Sequence, residues 1–215
     1  MIPTNSVILS LHCRFWDLGL IKLCLCKQLP IITLNRRYLY YQNNYNSKIE
    51  KVVNIQIQAE QQASQDYLNM AVTFLHPSKS QFGAGGFFMK MYKEELAHMQ
   101  KFIHYQLLRG GTPLISGLEP PNQNKNLTLL DAFKQGLCME KRITELLEEG
   151  IRQAEEVKDY QYADFITSVF LAEQMQSIHE MANHVTKLTA LSNNEHALYQ
   201  YDLELGKTYP YSQKV

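Results

Sequence analysis

The run KMYKEELAHMQKF, Lys90 to Phe102, carries Glu95 and His98 three residues apart. On a helix that spacing puts a carboxylate and an imidazole on one face, one turn apart, where both can grip the same cation. The stripe around them is otherwise apolar. Ala84, Phe88 and Met91 precede the pair and Phe102 follows it, at intervals of 4, 3, 4, 3 and 4. This is the spacing of a core-facing helix surface. A carboxylate and an imidazole buried there are costly unless something pairs with them, and a metal ion would do so.

The elements that must position this pair read as four long helices. The first spans about 47 to 75, with stripe Ile49, Val53, Gln56, Glu60, Ala63, Tyr67, Met70 and Phe74. The second spans about 82 to 109 and stops at Arg109-Gly110-Gly111. A connector rich in turn residues follows, TPLISGLEPPNQNKN, long enough to run the length of a helix. Thr128 to Asp131 approximates a capping box for the third helix, which continues to about 157 with stripe Phe133, Leu137, Glu140, Thr144, Leu147 and Ile151. The fourth spans about 161 to 190, with stripe Leu171, Gln174, Ile178, Met181, Val185 and Leu188. A short fifth helix is expected over about 196 to 205, stopped by Gly206. Short links before the second and fourth helices make antiparallel pairs, and the long middle link lets the second and third run parallel. The expected fold is all-α, a four-helix bundle with one long crossover and a short C-terminal helix.

Each stripe has a polar interruption near mid-helix: Glu60 with Tyr67 a heptad later, Glu95 with His98, Glu140, and Gln174. In such a bundle these positions converge on one layer. Taken singly each has an ordinary explanation: a salt bridge, a solvated face, or a core tyrosine with its hydroxyl satisfied. Together they place three carboxylates in an apolar core, where mutual repulsion drives them neutral unless cations intervene. Carboxylates with a single imidazole suit iron better than zinc or calcium. Glu95 could bridge to a second metal on the helix bearing Glu140.

The segments AEQQASQDYLNM (Ala59 to Met70), EELAHM, LLRGG, CMEKRITELLE (Cys138 to Glu148) and AEQMQSIHEMANHVTKL (Ala172 to Leu188) resemble ferritin, in order and interval, from about Asn43 to the C-terminus. The resemblance implies that Glu60, Glu95 and His98 form a first iron site. Glu140 would form a second by sharing Glu95, with Gln174 close by. Tyr67 would hydrogen-bond within the site, and Glu94 would be a neighbouring carboxylate used in iron transit. It implies a heavy-type, ferroxidase-active chain that oxidises Fe(II) with dioxygen or peroxide and deposits ferric oxyhydroxide inside a shell of 24 subunits, alone or mixed with a second chain type. Two departures stand out. Positions matching the family's acid-rich inner surface read Gly86, Met89, Lys90, Lys93, Ala97 and Gln100, with Glu94 the only acid among them. Those matching the three-fold channel acids read Asp164 and Thr167. The alternative expectation is therefore a structural subunit that nucleates mineral poorly and needs an acid-lined partner chain.

Lysine plus arginine and aspartate plus glutamate number 21 each among 215 residues, which argues against general nucleic-acid binding. Residues 1–41 read as an N-terminal extension to a ferritin-like domain over 42–215. They carry Arg14, Lys22, Lys27, Arg36 and Arg37 against Asp17 alone. Their apolar runs fall short of the roughly 20 residues that span a bilayer. Three of the four cysteines, Cys13, Cys24 and Cys26, lie here, so no disulfide framework crosses the main domain. The expected compartment is cytoplasmic, or mitochondrial if the basic extension is a transit peptide.

Overall fold

The computed structural model describes residues 45–121 and 126–212, all within one compact unit, Tyr38–Val215. The readings of residues 1–41 lie outside the described residues. Among the described residues six helices follow one another: α1 (Ser47–Leu75), α2 (Phe82–Leu108), α3 (Leu129–Glu156), α4 (Tyr160–Val169), α5 (Leu171–Leu191) and α6 (Glu195–Thr208). None is long and apolar enough to cross a membrane.

Contacts along the helices fix their directions. Tyr45, just before α1, donates to Gln106 near the end of α2 at 2.5 Å, while Phe74 near the end of α1 stacks on Phe88 near the start of α2. These two helices are antiparallel. Phe133 with His184, and Glu140 with Gln174, make α3 and α5 antiparallel as well. Phe87 meets Phe133 near the start of each helix, so α2 and α3 run parallel, as the single crossover requires. The crossing segment is tied to α1 by side-chain amides that imitate a backbone partner. Asn54 receives the N–H of Leu114 at 2.8 Å and donates to the carbonyl of Thr112 at 3.1 Å. Gln62 does the same for Glu119, at 2.9 and 3.1 Å.

The ends follow local chemistry. Asn46, Thr128, Asp159 and Asn194 cap α1, α3, α4 and α6 with side-chain oxygens. Gly110, at φ 79°, ends α2 where a Cβ would be strained. The Arg109 guanidinium grips Asp159 through two nitrogens at 3.0 and 2.8 Å, joining the end of α2 to the start of α4.

Two expectations need correction. The fourth long helix is not continuous over 161–190. It breaks at Phe170, whose φ of −116° departs from helical geometry. The Phe170 ring is pinned by stacking on Phe102 at 4.5 Å and by edges toward Phe165 and His98. The preceding β-branched residues Ile166, Thr167 and Val169 weaken the local helix. With no glycine or proline in the stretch, the pattern gave no warning. Nor does Gly206 stop α6, which continues to Thr208. Gly206 instead lies against Gly83, at the first turn of α2.

That contact holds α6 in place. No side chain of α2's own caps its N-terminus. Asp202 from α6 does so, accepting the N–H groups of Gly83 at 3.2 Å and Ala84 at 2.8 Å. Only glycine fits at 83, since a Cβ there would fall 1.9 Å from the Asp202 carbonyl oxygen. Asp202→Ala should remove both hydrogen bonds and lower stability by about 1–2 kcal/mol, the range of a lost N-cap. Chemical denaturation read by circular dichroism checks this; an unshifted midpoint would mean that α6 docks without help from the cap.

Candidate metal centre

The aromatic and aliphatic core forms two clusters. One gathers Tyr67, Phe74, Phe87, Phe88, Met91, Phe133 and Met181; the other gathers Ile49, Ile57, Phe102, Tyr105, Leu147, Tyr162 and Phe170. Between them in the helix stripes lie Glu60, Glu95, His98, Glu140 and Gln174, each no more than 2% exposed. Glu60 and Tyr67 come from α1, Glu95 and His98 from α2, Glu140 from α3 and Gln174 from α5.

Glu60, Glu95 and His98 each present a ligand atom, and the three atoms lie within 4.8 Å of one another. Nδ1 of His98 is 3.2 Å from Oε2 of Glu95. Gln56 donates to Oε1 of Glu60 at 2.6 Å, and Oε2 of Glu60 is left buried with no partner. Glu140 stands beside this trio. Its Oε1 accepts from the Tyr67 hydroxyl at 2.5 Å, and its Oε2 faces Nε2 of Gln174 at 3.4 Å. Thr144 supports both, donating to the Glu140 carbonyl at 2.9 Å and lying 3.3 Å from the Gln174 amide.

The electrostatics are those of crowded acids in a buried core. Burial first, and the neighbouring Glu140 charge next, push the Glu95 carboxyl up to about 8. Burial pushes Glu140 to about 6, against the pull of its hydrogen bonds from Tyr67 and Gln174. Burial and the charge on Glu95 hold Glu60 well above the usual carboxylate range. Near neutral pH the cluster therefore carries protons that a cation can replace.

Glu94 lies next to the cluster but outside the trio. Its Oε2 is 3.0 Å from Lys90 Nζ. That pairing bears on the α2 positions matched to the family's inner surface. Lys90 is not a free positive charge there, because Glu94 and Glu180, the latter at 3.9 Å, flank it. Lys93, Ala97 and Gln100 are exposed, as are Asp164 and Thr167 on α4. Gly86 is buried under the backbone of Tyr209, so it presents no open wall.

Three participants escaped the sequence reading as site residues. Gln56 and Thr144 sit in the core stripes, one turn from Glu60 and Glu140, and that spacing was the available signal. Glu173 lies off the stripe, yet its Oε2 comes within 3.3 Å of His98 Nε2; no periodicity could have marked it.

The sequence model of the ferritin-like domain matches residues 50–191, which hold every residue of this centre. The chain belongs to the ferritin family. Iron binding and iron storage characterise that family. Among similar proteins, soma ferritin of Lymnaea stagnalis is 33% identical over 145 residues, covering 67% of this chain and 83% of that one. Ferritin-1 heavy chain of Schistosoma mansoni is 31% identical over 150 residues, covering 70% and 87%. The middle subunit ferritin of Salmo salar is 29% identical over 161 residues, covering 74% and 92%.

Proposed function

We propose that this ferritin is a ferroxidase subunit whose substrate is iron(II). The observation that carries the reading is the buried trio Glu60, Glu95 and His98, with ligand atoms within 4.8 Å and Glu140 beside it on a Tyr67 anchor. Glu60, Glu95 and His98 would hold one iron(II), and Glu140 with Glu95 a second. Gln174 in place of a further acid would make the second position weak, which suits an ion that passes through. Glu94, one residue before Glu95, would hand iron on after releasing Lys90.

Each iron(II) gives up one electron. Dioxygen takes the two electrons and two protons and leaves as hydrogen peroxide. The protons expelled from Glu60 and Glu95 when iron binds are one local source of them. The ferric product then moves to a cavity enclosed by about 24 subunits of this chain, alone or with a second chain type. A mixed shell is favoured by one observation: among the α2 positions expected to line the cavity the single acid, Glu94, is already paired with Lys90. Compartment, cytoplasmic or mitochondrial, turns on residues 1–41.

The test is ferric absorbance growing in air after iron(II) is added to purified particles, together with their mass by light scattering. Particles of shell mass that oxidise iron(II) no faster than buffer would leave a structural subunit. Oxidation by a monomer or dimer would point to a helical iron oxidase without a cage.

A further inference from the structure

The break at Phe170 lies against His98 and changes what surrounds that ring. Phe170 meets the imidazole edge to face at 5.4 Å. One turn later Glu173 brings Oε2 to 3.3 Å from His98 Nε2. Among the described residues this is the one ion-pair contact of Nε2, and the nitrogen makes no aligned hydrogen bond. The imidazole is 3% exposed and the Glu173 side chain 36% exposed. Glu173 thus reaches inward from the surface while the ring lies inside. Lys101 holds the carboxylate from its outer side at 3.7 Å, and the same ammonium sits over the Phe170 ring at 5.4 Å.

The geometry points to Glu173 as a positioning residue for His98. It accepts a hydrogen bond from Nε2–H, holding that proton on Nε2, and so keeps the Nδ1 lone pair turned toward Glu60 and Glu95. A histidine that binds metal through one nitrogen needs its proton on the other, and an acceptor there fixes both tautomer and ring orientation. The terminal torsion of a glutamate is soft, so the 3.3 Å contact aligns with a small turn of the carboxylate. Without that acceptor nothing polar favours Nε2–H over Nδ1–H. With the proton on Nδ1 the ring donates to Glu95 Oε2, 3.2 Å away, and its remaining lone pair, on Nε2, faces Glu173 instead of the trio. Gln174, the next residue, faces Glu140 instead, so α5 supports both halves of the centre. The role rests on the ferroxidase reading for its purpose, but not for its test.

Full-length particles of the wild type, Glu173→Ala, Glu173→Gln and His98→Ala are titrated with cobalt(II) without oxygen. Binding is followed by visible absorbance; iron(II) oxidation in air is measured separately. Glu173→Ala should bind cobalt(II) about tenfold more weakly at the His98-dependent site and slow oxidation to a similar degree, the scale of a lost partner behind a metal ligand. Glu173→Gln keeps an acceptor oxygen and should stay within about twofold of wild type. Unchanged melting temperatures, expected for a residue this exposed, separate lost binding from unfolding. Equal losses in the alanine and glutamine variants would show that Glu173 acts through its charge, as an iron ligand or relay, and would overturn the proposal. So would wild-type affinity in both. Cobalt(II) binding untouched by His98→Ala would remove the site and the proposal together. A wild type that binds cobalt(II) through His98 but fails to oxidise iron would defeat the ferroxidase reading alone, and the cobalt titration would still decide the role of Glu173.

Discussion

Glu95→Ala and His98→Ala should each lower the initial rate of iron(II) oxidation by more than about a hundredfold while leaving particles of full size. Losing a partner behind a metal ligand typically costs about 10–100-fold, and losing the ligand itself costs more. Glu95 is the residue the centre can least spare. Its carboxyl lies against both His98 and Glu60 and feels the charge of Glu140, so one substitution disturbs both proposed iron positions. His98 supplies the only imidazole of the trio, and no other side chain there offers a nitrogen ligand. The particles should survive because alanine is the strongest helix former and both residues lie well inside α2. Neither side chain donates to a helix end or to the α6 contact. Stopped-flow absorbance in air gives the rate, and size exclusion gives the assembly. Wild-type initial rates in both variants would remove the assignment of the centre.

The centre was legible because it breaks a rule locally. Glu60, Glu95, His98, Glu140 and Gln174 are polar residues inside helix stripes that are otherwise apolar, and buried polar residues need a reason. The capping box at Thr128 and the stop at Gly110 were legible for a similar reason: both are set by chemistry within a few residues. What the sequence hid depends on distant partners. Asp202 caps a helix that begins 120 positions earlier in the chain, and nothing near residue 202 announces it. Gly206 looked like a terminator because glycine usually is one; here it lies inside α6 against Gly83, and it is the missing side chain of Gly83 that allows the approach. The break at Phe170 comes from ring packing against Phe102 and His98. That break, in turn, is why Glu173 could not be read as a neighbour of the centre. Lys90 shows another limit, since residue type gives a charge but not its partner, and Lys90 has two.

In metal-free particles, Glu95→Gln should stabilise the fold, by an amount that grows as pH rises. The folded state lifts the Glu95 carboxyl from an ordinary 4.5 to about 8, first through burial and then through the charge of Glu140. A carboxyl whose folded value is raised holds its proton more tightly when folded than when unfolded. Its contribution to stability is therefore intact below about 4.5 and is lost as pH climbs through about 8. Glu140, raised to about 6, loses its share lower in the same window. Each pKa unit is worth about 1.4 kcal/mol, and interacting carboxyls share the total, so the penalty for Glu95 at high pH is on the order of 2–4 kcal/mol. Glutamine keeps the volume, can donate to His98 Nδ1 as the protonated acid does, and never ionises. Chelator-treated wild type and variant should thus melt close together near pH 5 and separate steadily toward pH 9, with the variant higher. Thermal melts across that range decide the matter. A gap that stays constant with pH would mean that Glu95 does not titrate inside the fold, and that the crowding of acids inferred for this centre is relieved in some other way.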